Sequence, residues 1–389
     1  VSFGNTRPAA ALARAAEEPI RVLVVDDSAV VRGLITRALE GEPDICVVSS
    51  AANGRMALNY VQRHPVEVVI LDIEMPVMNG LEALPKIIAA RPGIKVIMAS
   101  TLTRRGAAIS IEALSKGAAD FIPKPTASRD LMGGQNFGTE LCEKVKNLGP
   151  VARAAFGEPE PAAGRSGYSA EKARPAARKS LYGNSPIVLR QPSSVRPRII
   201  AIGSSTGGPQ ALFKVIGEMS KTVTLPILIT QHMPATFTTI LAEHLSTIAG
   251  RKVVEGEDFM EIKETGIYLA PGDFHMVIGT RASGEKVIRL NQNPPVNFCR
   301  PAVDPLLSTI AKEYSGAALT VILTGMGRDG LTGGREIIQF GGTIIAQDEA
   351  SSVVWGMPGA VAVDGLCSAV LPLDHIPSHV QNLVLGVRP

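Results

Sequence analysis

Four cysteines are spread through 389 residues, and none lies at metal-ligand spacing from another or from a histidine, so neither a redox CxxC pair nor a zinc centre is expected. Cys46, Cys142, Cys299 and Cys367 read as reduced core thiols of a cytoplasmic chain. Long apolar runs are missing too. The strongest, such as Val66 to Leu71, are strand-sized and fall well short of the roughly 20 residues that span a bilayer, so no membrane insertion is expected. The first twenty residues alternate Ala with Arg and Glu and lack the apolar stretch of a signal peptide. Residues 1–19 read as a frayed tail or as a start placed too early. A surplus of one charge sign is also absent, with 39 Lys and Arg against 36 Asp and Glu. No basic helix is interleaved with aromatics, so nucleic acid is not an expected partner.

What is present is the composition of a folded protein, 45% apolar and 19% charged, in a chain long enough for two or three domains. From Arg21 to Pro125 short Val/Ile-rich runs alternate with amphipathic stretches, the pattern of βα units around a parallel sheet. The runs Arg21–Val25, Ile45–Ser49, Val66–Leu71, Ile94–Ala99 and Ala119–Ile122 predict five strands, with helices at Ala29–Leu39 and Leu81–Ala90 between them. Five such units make a flavodoxin-like domain, assigned to residues 20–140. From about Pro150 to Arg198 the composition turns to Ala, Pro, Gly, Ser and Arg without apolar periodicity. Residues 141–196 are therefore expected to be a flexible basic linker, either a solvated tether or a docking segment for an acidic partner. The αβ rhythm resumes over 197–389. Strands are predicted at Arg198–Ile202, Pro226–Thr230, Gly266–Ala270, Val287–Leu290, Leu319–Leu323 and Thr343–Ala346, with helices at Gln210–Met219, Pro305–Tyr314 and Gly334–Phe340. This second half reads as a Rossmann-like, doubly wound parallel sheet.

Ligands of open α/β sheets bind outside the carboxyl ends of the strands. In the first half the ends carry Asp26 and Asp27, then Asp72, then Ser100, then Lys124. Three converging carboxylates repel one another unless a hard cation neutralises them, and Mg²⁺ suits an all-oxygen set that keeps waters for a phosphate to replace. Lys124 and the Ser100 hydroxyl would hold phosphoryl oxygens, leaving Asp72 as the acceptor of a phosphoryl group.

In the second half Gly203-Ser204-Ser205-Thr206-Gly207-Gly208 turns from a strand into a helix opened by Pro209. That turn reads either as a dinucleotide-binding loop, although the full GxGxxG pattern is missing, or as a G-x-S-x-G nucleophile elbow exposing Ser205. The neighbouring strand ends decide, because Gln231-His232 follows one strand and Thr324 to Asp329 another. Ser205, His232 and Asp329 then form a nucleophile, a base and its orienting carboxylate, with the Met326 N–H facing a developing oxyanion. Asp304 is a rival third member, but N-capping of its own helix is a sufficient explanation for it.

These motifs carry a resemblance. VVDDS at Val24–Ser28, LDIEMPVMNG at Leu71–Gly80, Ser100 and PKP at Pro123–Pro125 resemble a response-regulator receiver domain. The resemblance implies Mg²⁺ held by Asp26 or Asp27, Asp72 and the Glu74 backbone carbonyl, a cis Lys124–Pro125 peptide, Phe121 as the aromatic that follows Ser100, and a histidine kinase as phosphodonor. TQHMP at Thr230–Pro234, YLAPGDFHM at Tyr268–Met276, RPAVD at Arg300–Asp304, ILTGMGRDG at Ile322–Gly330 and GMPGA at Gly356–Ala360 resemble the CheB-type protein-glutamate methylesterases, which share this domain order. That likeness implies catalytic roles for Ser205, His232 and Asp329, an oxyanion role for Met326, and hydrolysis of glutamate γ-methyl esters on chemoreceptors, with deamidation of certain receptor glutamines as a second activity. A monomeric, cytoplasmic enzyme gated by phosphorylation is expected. The alternative is a receiver-coupled serine hydrolase with another protein substrate. A transcriptional regulator is disfavoured, since the output half shows no helix-turn-helix, and so is a nucleotide-dependent oxidoreductase built on the GSSTGG turn. Two departures stand out from the family pattern: Ser204, a second hydroxyl beside the nucleophile, and Cys299, where a more polar residue is expected.

Overall fold

The structure is a computed structural model, and it describes residues 18–124, 135–156, 182–183 and 185–387. Five strands, β1 (Ile20–Val25), β2 (Ile45–Ala51), β3 (Val68–Asp72), β4 (Lys95–Ser100) and β5 (Asp120–Pro123), make a parallel sheet in the order β2-β1-β3-β4-β5. The helices between them are α1 (Ala29–Glu40), α2 (Gly54–Arg63), α3 (Gly80–Ala90) and α4 (Arg104–Ser115). Each starts on a side-chain cap: Ser28, Asn53, Asn79 and Thr103 accept the N–H of Val31, Met56, Glu82 and Gly106. β3 is buried along its whole length, as a central parallel strand covered on both faces must be.

Helix α5 (Gln135–Phe156) corrects the expected linker. Leu141, Cys142, Val145 and Leu148 are buried in the cluster that holds Val22, Val24, Ile35 and Leu39, and Ala152 is buried too, so residues 141–156 belong to the first unit. Their apolar stripe keeps helical spacing among Glu, Lys, Asn and Ala, ahead of the Ala-, Pro- and Arg-rich stretch whose composition set the expectation. The far end of the same segment is also tied down. Arg190 N–H donates to Cys367 O at 2.9 Å, Ser193 N–H to Thr343 Oγ1 at 2.9 Å, and Ser193 Oγ to Gly316 O at 3.0 Å. The remainder of the expected linker, the tail over 1–17 and the Lys124–Pro125 peptide lie outside the described residues.

The second unit is a seven-stranded parallel sheet of β6 (Ile199–Ser204), β7 (Ile227–Gln231), β8 (Val253–Glu255), β9 (Ile267–Leu269), β12 (Ala318–Ile322), β13 (Thr343–Gln347) and β14 (Ala369–Leu371). Their order is β14-β13-β12-β6-β7-β9-β8, so the chain reverses its direction of travel between β6 and β12. Around the sheet lie α6 (Gly208–Met219), α7 (Ala235–Ala249), α8 (Val303–Tyr314), α9 (Leu331–Gln339), α10 (Met357–Val363) and α11 (Ile376–Leu385). The predicted strand at Val287–Leu290 exists as β11 (Lys286–Asn291), but it pairs antiparallel with β10 (His275–Thr280) in a separate ribbon. Both sheets are thus the doubly wound parallel kind, with this one antiparallel excursion.

The two units share a core. Phe121 on β5 stacks on Phe237 of α7, ring centroids 4.1 Å apart and planes 10° from parallel. Asp120 Oδ2 accepts both Lys144 Nζ at 2.6 Å and Thr206 Oγ1 at 2.8 Å, and Gln210 Nε2 donates to Ala118 O. Arg104 reaches Glu243 at 2.5 Å on the rim.

Candidate active site and phosphorylation site

The switch point between β6 and β12 is where the chemistry collects, as expected for a doubly wound sheet. Ser205 leaves β6 on a turn that needs Gly207 at φ +74°, where a Cβ would run into Val353. β7 lies beside β6, and the His232 N–H donates to Ser204 O at 3.2 Å, bringing His232 level with Ser205. β12 flanks the other side of β6. A Cβ on Gly325 would stand 2.9 Å from Ser205 Cβ, so the Gly325–Met326 backbone packs directly against the serine. The Met326 N–H has no hydrogen-bond partner among the described residues, which leaves it free for an oxyanion.

Asp329 is buried and its Oδ2 lies 2.8 Å from His232 Nε2. Burial opposes its charge, yet His232 and the N–H groups of Val303 and Asp304 hold it below the usual carboxylate range. With Nε2 committed to Asp329, only Nδ1 remains to take the serine proton. Nδ1 lies 3.3 Å from Cys299 Sγ, and no hydrogen bond joins Ser205 Oγ to the ring among the described residues. Burial disfavours the imidazolium, but Cys299 and Asp329 outweigh it and push His232 up to about 10. The structure therefore brings Ser205, His232 and Asp329 together at one sheet edge with the serine link open, a looseness common without substrate.

Two expectations change here. Asp304 does not cap its own helix: it sits in the first turn of α8, and its Oδ1 accepts the N–H of Gly330 at 3.0 Å and of Gly333 at 2.8 Å, capping α9 instead. Burial and the Asp329 charge raise its carboxyl to about 6. Cysteine placement also differs. All four thiols are free, but Cys46 is exposed and Cys299 is half-buried against the triad, so only Cys142 and Cys367 are core thiols. Ser204 turns away from the site, fully buried with its Oγ donating to Gln231 Oε1 at 2.7 Å. Gln231 Nε2 in turn donates to Ser205 O at 2.9 Å, bracing the nucleophile turn. Nothing in the sequence signals this role of Gln231 beyond its place next to His232.

At the other sheet's switch point, between β1 and β3, Asp26, Asp27 and Asp72 each place a carboxylate oxygen within 4.8 Å of the others. Lys124 Nζ bridges Asp26 Oδ2 at 2.8 Å and Asp72 Oδ1 at 2.6 Å. Burial raises Asp72 to about 6, the Asp26 charge adding to it and Lys124 opposing. Asp72 Oδ2 is buried without a partner, an oxygen left over for a cation. Ser100 and Glu74 line the same cleft, and the Glu74 side chain points outward toward Arg105 at 3.5 Å.

Fold and geometry define a phosphorylatable receiver joined to an α/β serine hydrolase. The family model for the response regulator receiver domain matches residues 22–134, and the one for CheB methylesterase matches residues 200–380. A protein-glutamate methylesterase/protein-glutamine glutaminase 1 of Paramagnetospirillum magneticum is 55% identical over 374 residues, covering 95% of this chain and 97% of that protein. Its namesake from Rhodospirillum rubrum is 56% identical over 367 residues, 93% of this chain and 94% of that one. The CheB methylesterase catalytic domain of Thermotoga maritima, a crystal structure, is 41% identical and covers 49% of this chain and all of that one, with a TM-score of 0.46. The chain belongs to the family of CheB protein-glutamate methylesterases that carry a receiver domain.

Proposed function

We propose that the chain hydrolyses glutamate γ-methyl esters on chemoreceptors through Ser205, releasing methanol, and deamidates particular receptor glutamines at the same site. The His232–Asp329 bond beside the nucleophile turn carries this reading. Ser205 Oγ attacks the ester carbonyl carbon while its proton passes to His232 Nδ1, once the ring gives up Cys299. The Asp329 carboxylate stabilises the imidazolium, and the Met326 N–H meets the oxyanion. Collapse returns the proton to the leaving methoxide, and methanol departs. Water, deprotonated by the same imidazole, then attacks the acyl-serine; the imidazolium hands that proton to Ser205 Oγ as the acyl bond breaks and the glutamate carboxylate is left, and with a glutamine substrate the group that leaves in the first step is ammonia.

In the receiver, Asp72 is the phosphoryl acceptor, served by a histidine kinase, with Lys124 and Ser100 holding phosphoryl oxygens. Asp26, Asp27, Asp72 and the Glu74 carbonyl would hold Mg²⁺. That ion supplies charge neutralisation for the incoming phosphoryl group. The contact of Asp120 with Thr206, next to the nucleophile, supports a gate in which the resting receiver covers the site and phosphorylation opens it. No helix among the described residues is long and apolar enough to cross a membrane. We read the enzyme as cytoplasmic and monomeric, acting on receptor segments.

Methanol release from methylated receptor fragments tests the reading. Ser205→Ala should lower it by roughly 10³-fold or more, and a small-molecule phosphodonor with Mg²⁺ should accelerate the wild type but not Asp72→Asn. Release that survives Ser205→Ala would remove the serine chemistry. A wild type that releases methanol without regard to phosphodonor would remove the gate.

A further inference from the structure

Between β11 and α8 the chain makes a tight turn whose geometry is costly. Val296 and Cys299 exchange two backbone hydrogen bonds, 3.0 and 2.9 Å, and the two residues between them sit at φ +51° (Asn297) and +64° (Phe298). Asparagine tolerates the left-handed region through its short polar side chain, whereas phenylalanine is strained there. Burial does not offset that strain, because Phe298 is 102% exposed. A turn that stores strain and buries little apolar surface is retained for what its other side chains reach. Here they reach the triad: Asn297 Nδ2 donates to Asp329 Oδ1 at 2.9 Å and to Asp304 Oδ2 at 3.0 Å, and Cys299 meets His232.

The geometry points to Asn297 as a positioning residue for the esterase chemistry, its amide fixing the Asp329 carboxylate that orients His232. This rests on the reading of the site given above. The other donors to Asp329 among the described residues are the backbone N–H groups of Val303, Asp304 and Gly330, together with His232 itself. Asn297 thus supplies the one side-chain donor besides the base. It also stands between two buried carboxylates, Asp304 of α8 and Asp329 after β12, which without it would be left with only the Gly330 N–H donating to both. The remaining titratable groups around the pair are His232, Cys299 beyond the ring, and exposed Arg328 next in the chain. Without the amide, the Asp329 charge is less satisfied and grips the imidazolium harder, so His232 becomes a free base only at higher pH.

The test uses the full chain. Asn297→Gly keeps the left-handed turn and removes only the amide. Asn297→Asp keeps the turn and the shape but replaces a donor with an acceptor. Both variants should fold, Asn297→Gly with a melting temperature near that of the wild type and Asn297→Asp with a lower one. In Asn297→Gly, kcat for methanol release should fall about tenfold with KM little changed, and the acid limb of kcat/KM should move to higher pH; Asn297→Asp should show both effects more strongly. The downfield imidazole N–H proton resonance of the His232–Asp329 bond should shift or broaden in both. Wild-type kcat and an unmoved acid limb in a folded variant would overturn the role, as would a loss confined to KM. The resonance separates this inference from the substrate assignment. If the wild type releases no methanol but the resonance moves in Asn297→Gly, positioning stands and the substrate falls; an unmoved resonance overturns the positioning.

Discussion

Cys299 bears on the resting state of His232, the proposed base. Its sulfur lies against the ring nitrogen that Asp329 leaves open, and together they push the imidazole up to about 10. A charged ring cannot accept the serine proton, so removing the thiol should free it. In Cys299→Ala, burial then acts without the Cys299 contribution and draws the imidazole pKa down. The acid limb of the pH–rate profile should move to lower pH and the rate at pH 7 should rise. A limb that stays where the wild type has it would show that Asp329 alone holds the charge. The same raised value has a stability consequence. Because the folded pKa lies above the free value of 6.5, the contribution is complete below pH 6.5 and is lost as pH rises through about 10. Ser205, His232 and Asp329 were legible from the sequence because each lies a short way beyond an apolar run that ends at one sheet edge. Asn297, Gln231 and the α9 cap on Asp304 were not, since each is defined by a partner distant in sequence.

Among the elements, the Val296–Cys299 turn is the one held against its own preference. Phe298 stands where a left-handed turn favours glycine, and its ring is in water. Phe298→Gly should raise stability by about 1 kcal/mol, the cost of holding an L side chain in that region less part of glycine's added backbone freedom. Chemical denaturation with an unchanged slope would measure it, and a variant no more stable than wild type would mean that Phe298 makes a compensating contact in solution. The regular elements were easier to foresee. Strands β1 to β5 and the core of the second sheet follow from uninterrupted Val/Ile runs, which a sheet covered on both faces requires. Helix α5 escaped because its buried stripe is diluted by Ala, Lys and Arg, and β10 because it sits in a ribbon outside the αβ alternation.

For the whole molecule, the decisive feature is that the two units meet through their functional elements. β5 carries Asp120 and Phe121 at the junction and ends one residue before Lys124, whose ammonium bridges Asp26 and Asp72. On the other side of the junction, Thr206 follows the nucleophile directly, and Met326 and Val353 pack against the cluster that holds Leu141 and Val145 of α5. None of this was legible beforehand, because a domain junction leaves no periodicity in either sequence. A phosphoryl group on Asp72 would draw on Lys124, and β5 would carry that change to the stacked pair Phe121–Phe237. The exposed Arg104–Glu243 pair on the rim contributes little to the docking by comparison. Truncating a buried aromatic removes both its transfer free energy and its packing, on the order of 3–5 kcal/mol, and at a junction much of that loss falls on the docked state. Phe121→Ala should therefore raise methanol release by the unphosphorylated chain several-fold, toward the rate the phosphodonor produces in the wild type. The phosphodonor-stimulated rate of the variant serves as the check on folding. If that rate is normal while the basal rate stays at the wild-type level, the receiver does not restrain the esterase through this contact, and the packing of Met326 and Val353 against the first unit's cluster becomes the place to look for the gate.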